Sequence, residues 1–136
     1  TYNNYGRLLV FKVGGTEELP VPTVRDRTIP VQTNLTASND QIAAGERHYN
    51  NYCAVCHGLA VRSGGSIPDL RRMSEGTHTV FNQIVQDGLL AANGMAAFND
   101  VVSDEDTTMI HHYVRARAEQ DRLAAAGEGG GQLTWQ

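Results

Sequence analysis

A chain of 136 residues has the length of one domain with at most a short appendage. Hydrophobic residues make up 40% and aromatics only 7%, a thin supply of core that a large, flat, apolar cofactor would supplement. The net charge of −4, with Lys12 the single lysine and the arginines scattered, excludes a nucleic-acid-binding surface. No apolar run approaches the roughly 18 residues that span a bilayer.

From Tyr5 to Val13 the run Tyr-Gly-Arg-Leu-Leu-Val-Phe-Lys-Val reads as one strand, closed by a turn at Gly14-Gly15. A lone strand leaves its backbone groups unpaired, so it implies a partner sheet elsewhere. No basic stretch followed by an apolar run precedes it, which reads as a mature, processed or excised form. Thr16 to Thr36 carries Pro20, Pro22 and Pro30 and is expected to be an extended linker laid over a surface.

Ala37 to Asp121 is expected to be helical. Ser38 and Gln41 form a capping box, and Ile42, Gly45, Tyr49 and Tyr52 then share one helix face. Gly45 within that face costs about 1 kcal/mol against alanine, which close approach by another helix would offset. A middle helix is predicted over His78 to Asp87, stopped by Gly88. A last helix starts at Ser103, with Asp104, Glu105 and Asp106 at its positive end and Ile110, Tyr113, Val114 and Met109 on its apolar face. It should fade between Asp121 and Ala126, leaving a glycine-rich tail that contains Trp135. The expected division is 1–15 strand, 16–36 linker, 37–122 helical domain and 123–136 tail.

The chemistry sits at the end of the first helix. Cys53-Ala54-Val55-Cys56-His57 is a C-x-x-C-H motif, the spacing by which haem is attached covalently. Two thiols three positions apart reach the two vinyl groups on one porphyrin edge, and the following histidine is carried under the ring to ligate iron. A thioredoxin-like dithiol would need a βαβ context, and a zinc site would need further ligands at suitable spacing. His78, His111 and His112 could supply nitrogens to zinc, but no second C-x-x-C is present. Candidates for the sixth iron ligand are Met73, Met95, Met109 and the other histidines. Met95 is favoured, because Gly94 gives its loop the freedom to approach iron; Met109 lies on a core-facing stripe and Met73 in an arginine-rich stretch. His48 and the pair His111-His112 read as surface residues.

These residues resemble the class I cytochrome c fold, and more closely the C-terminal cytochrome domain of quinohaemoprotein alcohol dehydrogenases, which carry pyrroloquinoline quinone (PQQ). The resemblance rests on Ala44-Gly45-Glu46 with Tyr49 before C-x-x-C-H, and on Ile67-Pro68-Asp69-Leu70-Arg71 after it. It rests also on Asn93-Gly94-Met95-Ala96-Ala97-Phe98, where Ala96 replaces a usual proline, and on Ser103 through Arg115. Gly6 to Gly15 resembles the closing strand of the family's β-propeller.

The resemblance implies an all-α fold around one covalent haem c, preceded by the extended strand and linker. It implies iron ligation by His57 and Met95, the Pro68 carbonyl on the second nitrogen of His57, and Arg71 or Arg72 on a haem propionate. Gly45 and Tyr113 should lie where the first and last helices cross. PQQ and calcium would belong only to a partner or parent propeller. The chain would not be an enzyme alone; it would accept electrons from PQQ and pass them to a downstream carrier in the periplasm. The alternative is a freestanding soluble periplasmic cytochrome c serving another partner. A haem sensor or peroxidase-like site with an open sixth position is a third reading.

Overall fold

A computed structural model describes residues 10–18, 26–63 and 67–127. Among these the regular structure is helical throughout, in five α-helices and three 3-10 turns. Helix α1 (Asn39–Tyr52) opens on the expected capping box: the Ser38 hydroxyl accepts from the Gln41 N–H and the Gln41 side chain accepts from the Ser38 N–H. Helix α2 (Ala54–His57) is one short turn. Helices α3 (Glu75–Thr79) and α4 (Phe81–Val85) follow, and α5 (Asp104–Ala125) closes the described chain. A second capping box, Ser103 with Asp106, starts α5.

The fold is organised by the crossing of α1 and α5. A Cβ on Gly45 would lie 1.9 Å from the Met109 carbonyl oxygen and 3.0 Å from the Tyr113 Cβ, so the two helix backbones touch there. Tyr49 and Tyr113 pack ring against ring at 5.3 Å beside the contact. Around them the core gathers Val61, Met73, Phe81, Val85, Val102, Ile110 and Val114.

The middle helix forms in two pieces. Ser74 caps α3 by accepting from the Thr77 N–H, so that the helix starts at Glu75, three residues before the expected His78, and the chain leaves helical geometry at Val80 (φ −103°, ψ 14°). The Thr79 hydroxyl donates back to the Glu75 carbonyl, a local bond that competes with helix continuation. Gly88 then takes φ 68°, as a helix stop requires.

The strand expected over Tyr5–Val13 falls partly outside the described residues. Its described part is irregular: Val10, Phe11 and Val13 are exposed, and a turn follows in which the Gly15 N–H donates to the Lys12 carbonyl. Residues 10–13 take part in no strand among the described residues. Residues 26–38 run without regular structure over α5. The Gln32 N–H donates to Glu119, and the Thr33 carbonyl accepts from Arg115 at 2.9 Å. Among the described residues no helix is long and apolar enough to cross a membrane. Trp135 lies outside the described residues.

Candidate functional site

The C-x-x-C-H residues share one tight turn. The Cys53 N–H donates to the Tyr49 carbonyl at 2.8 Å, which keeps the chain coiling past the end of α1. The N–H groups of Cys56 and His57 both return to the Cys53 carbonyl, at 3.2 and 2.9 Å. Cys53 is half-buried against the core and Cys56 is exposed; both are free thiols. Burial, and then the neighbouring Cys56, pushes the Cys53 thiol up to about 11.

His57 is buried, and its Nδ1 lies 3.2 Å from the Pro68 carbonyl oxygen. The tautomer protonated at Nδ1 donates to that oxygen and leaves the Nε2 lone pair free for a metal. Gly58 then turns the chain at φ 82°. A Cβ there would sit 2.1 Å from the Arg62 carbonyl oxygen, so only glycine permits the reversal. The Tyr49 hydroxyl donates to the Gly58 carbonyl at 2.7 Å and ties the turn to α1. Tyr49→Phe should cost roughly 1–2 kcal/mol, because the inward carbonyl loses its donor; urea unfolding of the two proteins compares them directly.

Met95 follows Gly94, which takes the left-handed φ of 92° after the 3-10 turn Ala91–Asn93. Met95 is half-buried on the same core as Cys53, together with Tyr52, Leu70 and Phe98. Met73 is in the core at 9% exposure, despite its arginine neighbours, and Met109 is half-buried beside Gly45. These residues fit a haem in their chemistry: two unpaired thiols, an imidazole with one nitrogen already engaged, and a thioether, with half-buried apolar groups between them.

Arg71 has two carboxylate partners. Its Nε and Nη2 donate to Asp69 at 2.9 and 2.6 Å, and its Nη1 donates to Asp121 at 2.7 Å. No propionate contact is needed to account for its burial. Arg72 is exposed and donates to the Asp26 carbonyl.

The histidines of the last helix are placed differently from expectation. His111 is half-buried, not fully on the surface: its ring stacks on Phe81 at 4.4 Å and 7°, and its Nε2 lies 2.8 Å from His78 Nδ1. Arg115 Nε also points at His111 Nε2, while Arg115 pairs with Glu75 at 2.8 Å. His48 is half-exposed and lies 3.2 Å from Asp106. Burial first, and then the Arg115 charge, pushes His78 down to about 4; burial, then His78 and Arg115, pushes His111 down to about 3. Both therefore fold in the neutral form.

In the unfolded chain these groups titrate near 6.5, so the folded protein binds fewer protons below that pH. Their contribution is fully present above 6.5 and is lost progressively as pH falls toward about 4. The melting temperature should accordingly fall between pH 6.5 and pH 5, above the range where carboxylates titrate. His78→Phe should flatten that slope, and an unchanged slope would refute the assignment.

Residues 40–114 match the profile of the family described as cytochrome c oxidase, cbb3-type, subunit III. The chain is similar to the quinohemoprotein alcohol dehydrogenase ADH IIB of Pseudomonas putida, with 40% identity over 122 residues, 89% of this chain and 18% of that protein. Among solved structures it is similar to the quinohemoprotein alcohol dehydrogenase ADHIIG of Pseudomonas putida HK5. That likeness has a TM-score of 0.71 and 36% identity, and covers 87% of this chain and 17% of the other. Cytochrome c550 of Pseudomonas aeruginosa is 35% identical over 82 residues, 55% of this chain and 54% of that protein. The chain thus spans less than a fifth of the length of the dehydrogenases it resembles.

Proposed function

The chain belongs to the cytochrome c family described as cytochrome c oxidase, cbb3-type, subunit III, and from that premise we propose that it accepts electrons from the PQQ site of an alcohol dehydrogenase. The family carries haem c and transfers electrons, and the chain is homologous to the cytochrome domain of quinohemoprotein alcohol dehydrogenases. The observation that carries the proposal is the similarity to such a dehydrogenase over 89% of the chain.

In this reading Cys53 and Cys56 would hold the haem as thioethers, and His57 and Met95 would ligate its iron. When bound, the haem supplies a one-electron ferric/ferrous couple. Pro68 accepts the Nδ1 proton of His57, which fixes the imidazole plane and raises its basicity. The Tyr49 hydroxyl and the Gly58 turn hold the attachment segment against α1. Met95 and the partly buried apolar residues beside it, Tyr52, Leu70 and Phe98, would shield the haem from water, so that the site would pass electrons and not admit substrate. Arg71 acts through its ties to Asp69 and Asp121. Residues 1–15 would complete a sheet of the dehydrogenase propeller, residues 16–36 would link it to the cytochrome domain 37–122, and 123–136 would trail from it. PQQ and calcium would reside in the propeller, a further carrier would take the electron onward, and the location would be periplasmic.

The test is alcohol-dependent reduction. The haem-stained species that carries this chain is purified from its source, supplied with PQQ and calcium, and given a series of primary and secondary alcohols. Growth of the ferrous haem spectrum on adding alcohol supports the proposal. A species that reduces with none of them, and stains at the chain's own mass, supports the second reading of a freestanding cytochrome, which the similarity to cytochrome c550 favours.

A further inference from the structure

Residues 58–63 and 67–72 carry both backbone features on which His57 depends, the glycine turn that follows it and the Pro68 carbonyl that meets its Nδ1. Part of this segment is held in an unfavourable conformation. Ala60 and Val61 take φ of 52° and 61°, in the left-handed region that a β-branched residue such as Val61 rarely adopts, yet Val61 is completely buried. Backbone of this kind persists only where its surroundings over-determine it.

What over-determines it comes from the far end of the last helix. Asp121, only 7% exposed, receives Arg62 through two bonds, Nε to Oδ2 at 3.0 Å and Nη2 to Oδ1 at 2.7 Å. Its Oδ2 also receives Arg71 Nη1 at 2.7 Å. Arg71 in turn grips both oxygens of Asp69, the residue next to Pro68, and Asp69 also accepts from the Arg71 N–H at 3.1 Å. Arg117, from α5 itself, adds a bond to Asp121 at 2.8 Å. One carboxylate thus joins the two ends of the segment to α5. Burial pushes the Asp121 carboxyl up, but hydrogen bonds from Arg62 and Arg71 outweigh it and hold the group ionised at neutral pH.

We propose that Asp121 is a positioning residue for the haem iron: through Arg62 and through Arg71–Asp69 it holds the Pro68 carbonyl on His57 Nδ1 and so sets the electron donation of the His57 ligand. The inference rests on the reading of His57 as a ligand of the haem iron. Donation from Nδ1–H to a carbonyl makes the imidazole a stronger base and favours ferric iron. Loosening the tie should therefore raise the reduction potential. A residue that merely stabilises the fold would change the melting temperature and leave the potential where it was.

The experiment uses the haem-loaded chain and its variants Asp121→Asn and Arg62→Gln, with potentials measured by spectroelectrochemistry and the His57 Nδ1 proton followed by NMR. Asp121→Asn should lower the ferric-to-ferrous ratio at fixed ambient potential about threefold, which at ~59 mV per tenfold is a rise of about 28 mV. It should also speed solvent exchange of the Nδ1 proton. Arg62 is 56% exposed in its side chain, so Arg62→Gln loosens the same tie from the solvent side with less burial at stake than Asp121→Asn, and should move both readouts in the same direction. If Asp121→Asn and Arg62→Gln leave potential and exchange at the parent values, this inference is overturned while the cytochrome reading stands. A parent chain that carries no covalent haem overturns that reading and this inference with it.

Discussion

Met95→Ala lowers the reduction potential of the haem-loaded chain and opens its iron to carbon monoxide, while the haem stays attached. A thioether favours ferrous iron, so its loss shifts the couple toward the ferric form. The fall should exceed the ~59 mV that marks a tenfold change in a one-electron equilibrium. Carbon monoxide added to the reduced parent at neutral pH should leave its spectrum alone, and the variant should bind it. Met73 and Met109 make the comparison sharp, since one is in the core and the other flanks the helix crossing. Met109→Ala should keep the parent potential. A Met95→Ala protein with unchanged potential would remove Met95 from the iron, and carbon monoxide binding by the parent would favour an open sixth position.

Gly45→Ala is expected to unfold the protein more easily, with the sign opposite to that of the same change in an exposed helix. On an isolated helix alanine would gain about 1 kcal/mol over glycine. Here the new Cβ would meet the Met109 carbonyl oxygen at 1.9 Å and its carbon at 2.5 Å, both backbone atoms that cannot rotate away. Helices α1 and α5 must then separate, and the Tyr49–Tyr113 contact at 5.3 Å with them. Overpacking of this kind costs about 1–3 kcal/mol, and the rigidity of the opposing backbone puts this site at the upper end. A urea midpoint at or above that of the parent would show that the crossing has room.

Local chemistry made much of this architecture readable in the sequence. Ser38 with Gln41 announces the start of α1, Ser103 opens α5, and Gly88 and Gly94 mark turns that the chain makes at positive φ. Gly45 on an otherwise apolar face pointed to a close helix contact, and Met109 and Tyr113 supply it. The attachment motif is legible because its five residues are contiguous. Features that depend on distant partners were not. His78 and His111 lie 33 positions apart, and their mutual bond and the stack on Phe81 have no local signature. Met73 looked polar because Arg71 and Arg72 precede it, but those arginines turn to Asp121, Asp69 and Asp26 and leave the methionine to the core. The break at Val80 depends on a capping serine and a threonine back-bond, which helical periodicity overlooks.

The most direct test of a covalent haem cytochrome is a haem stain of the unfolded chain beside its variant. The chain is produced with a periplasmic haem-attachment system, denatured, and run next to Cys53→Ala/Cys56→Ala. The parent band should keep its haem through denaturation and the double variant should lose it. Haem that leaves the parent on unfolding, or stays with the double variant, would contradict attachment through Cys53 and Cys56.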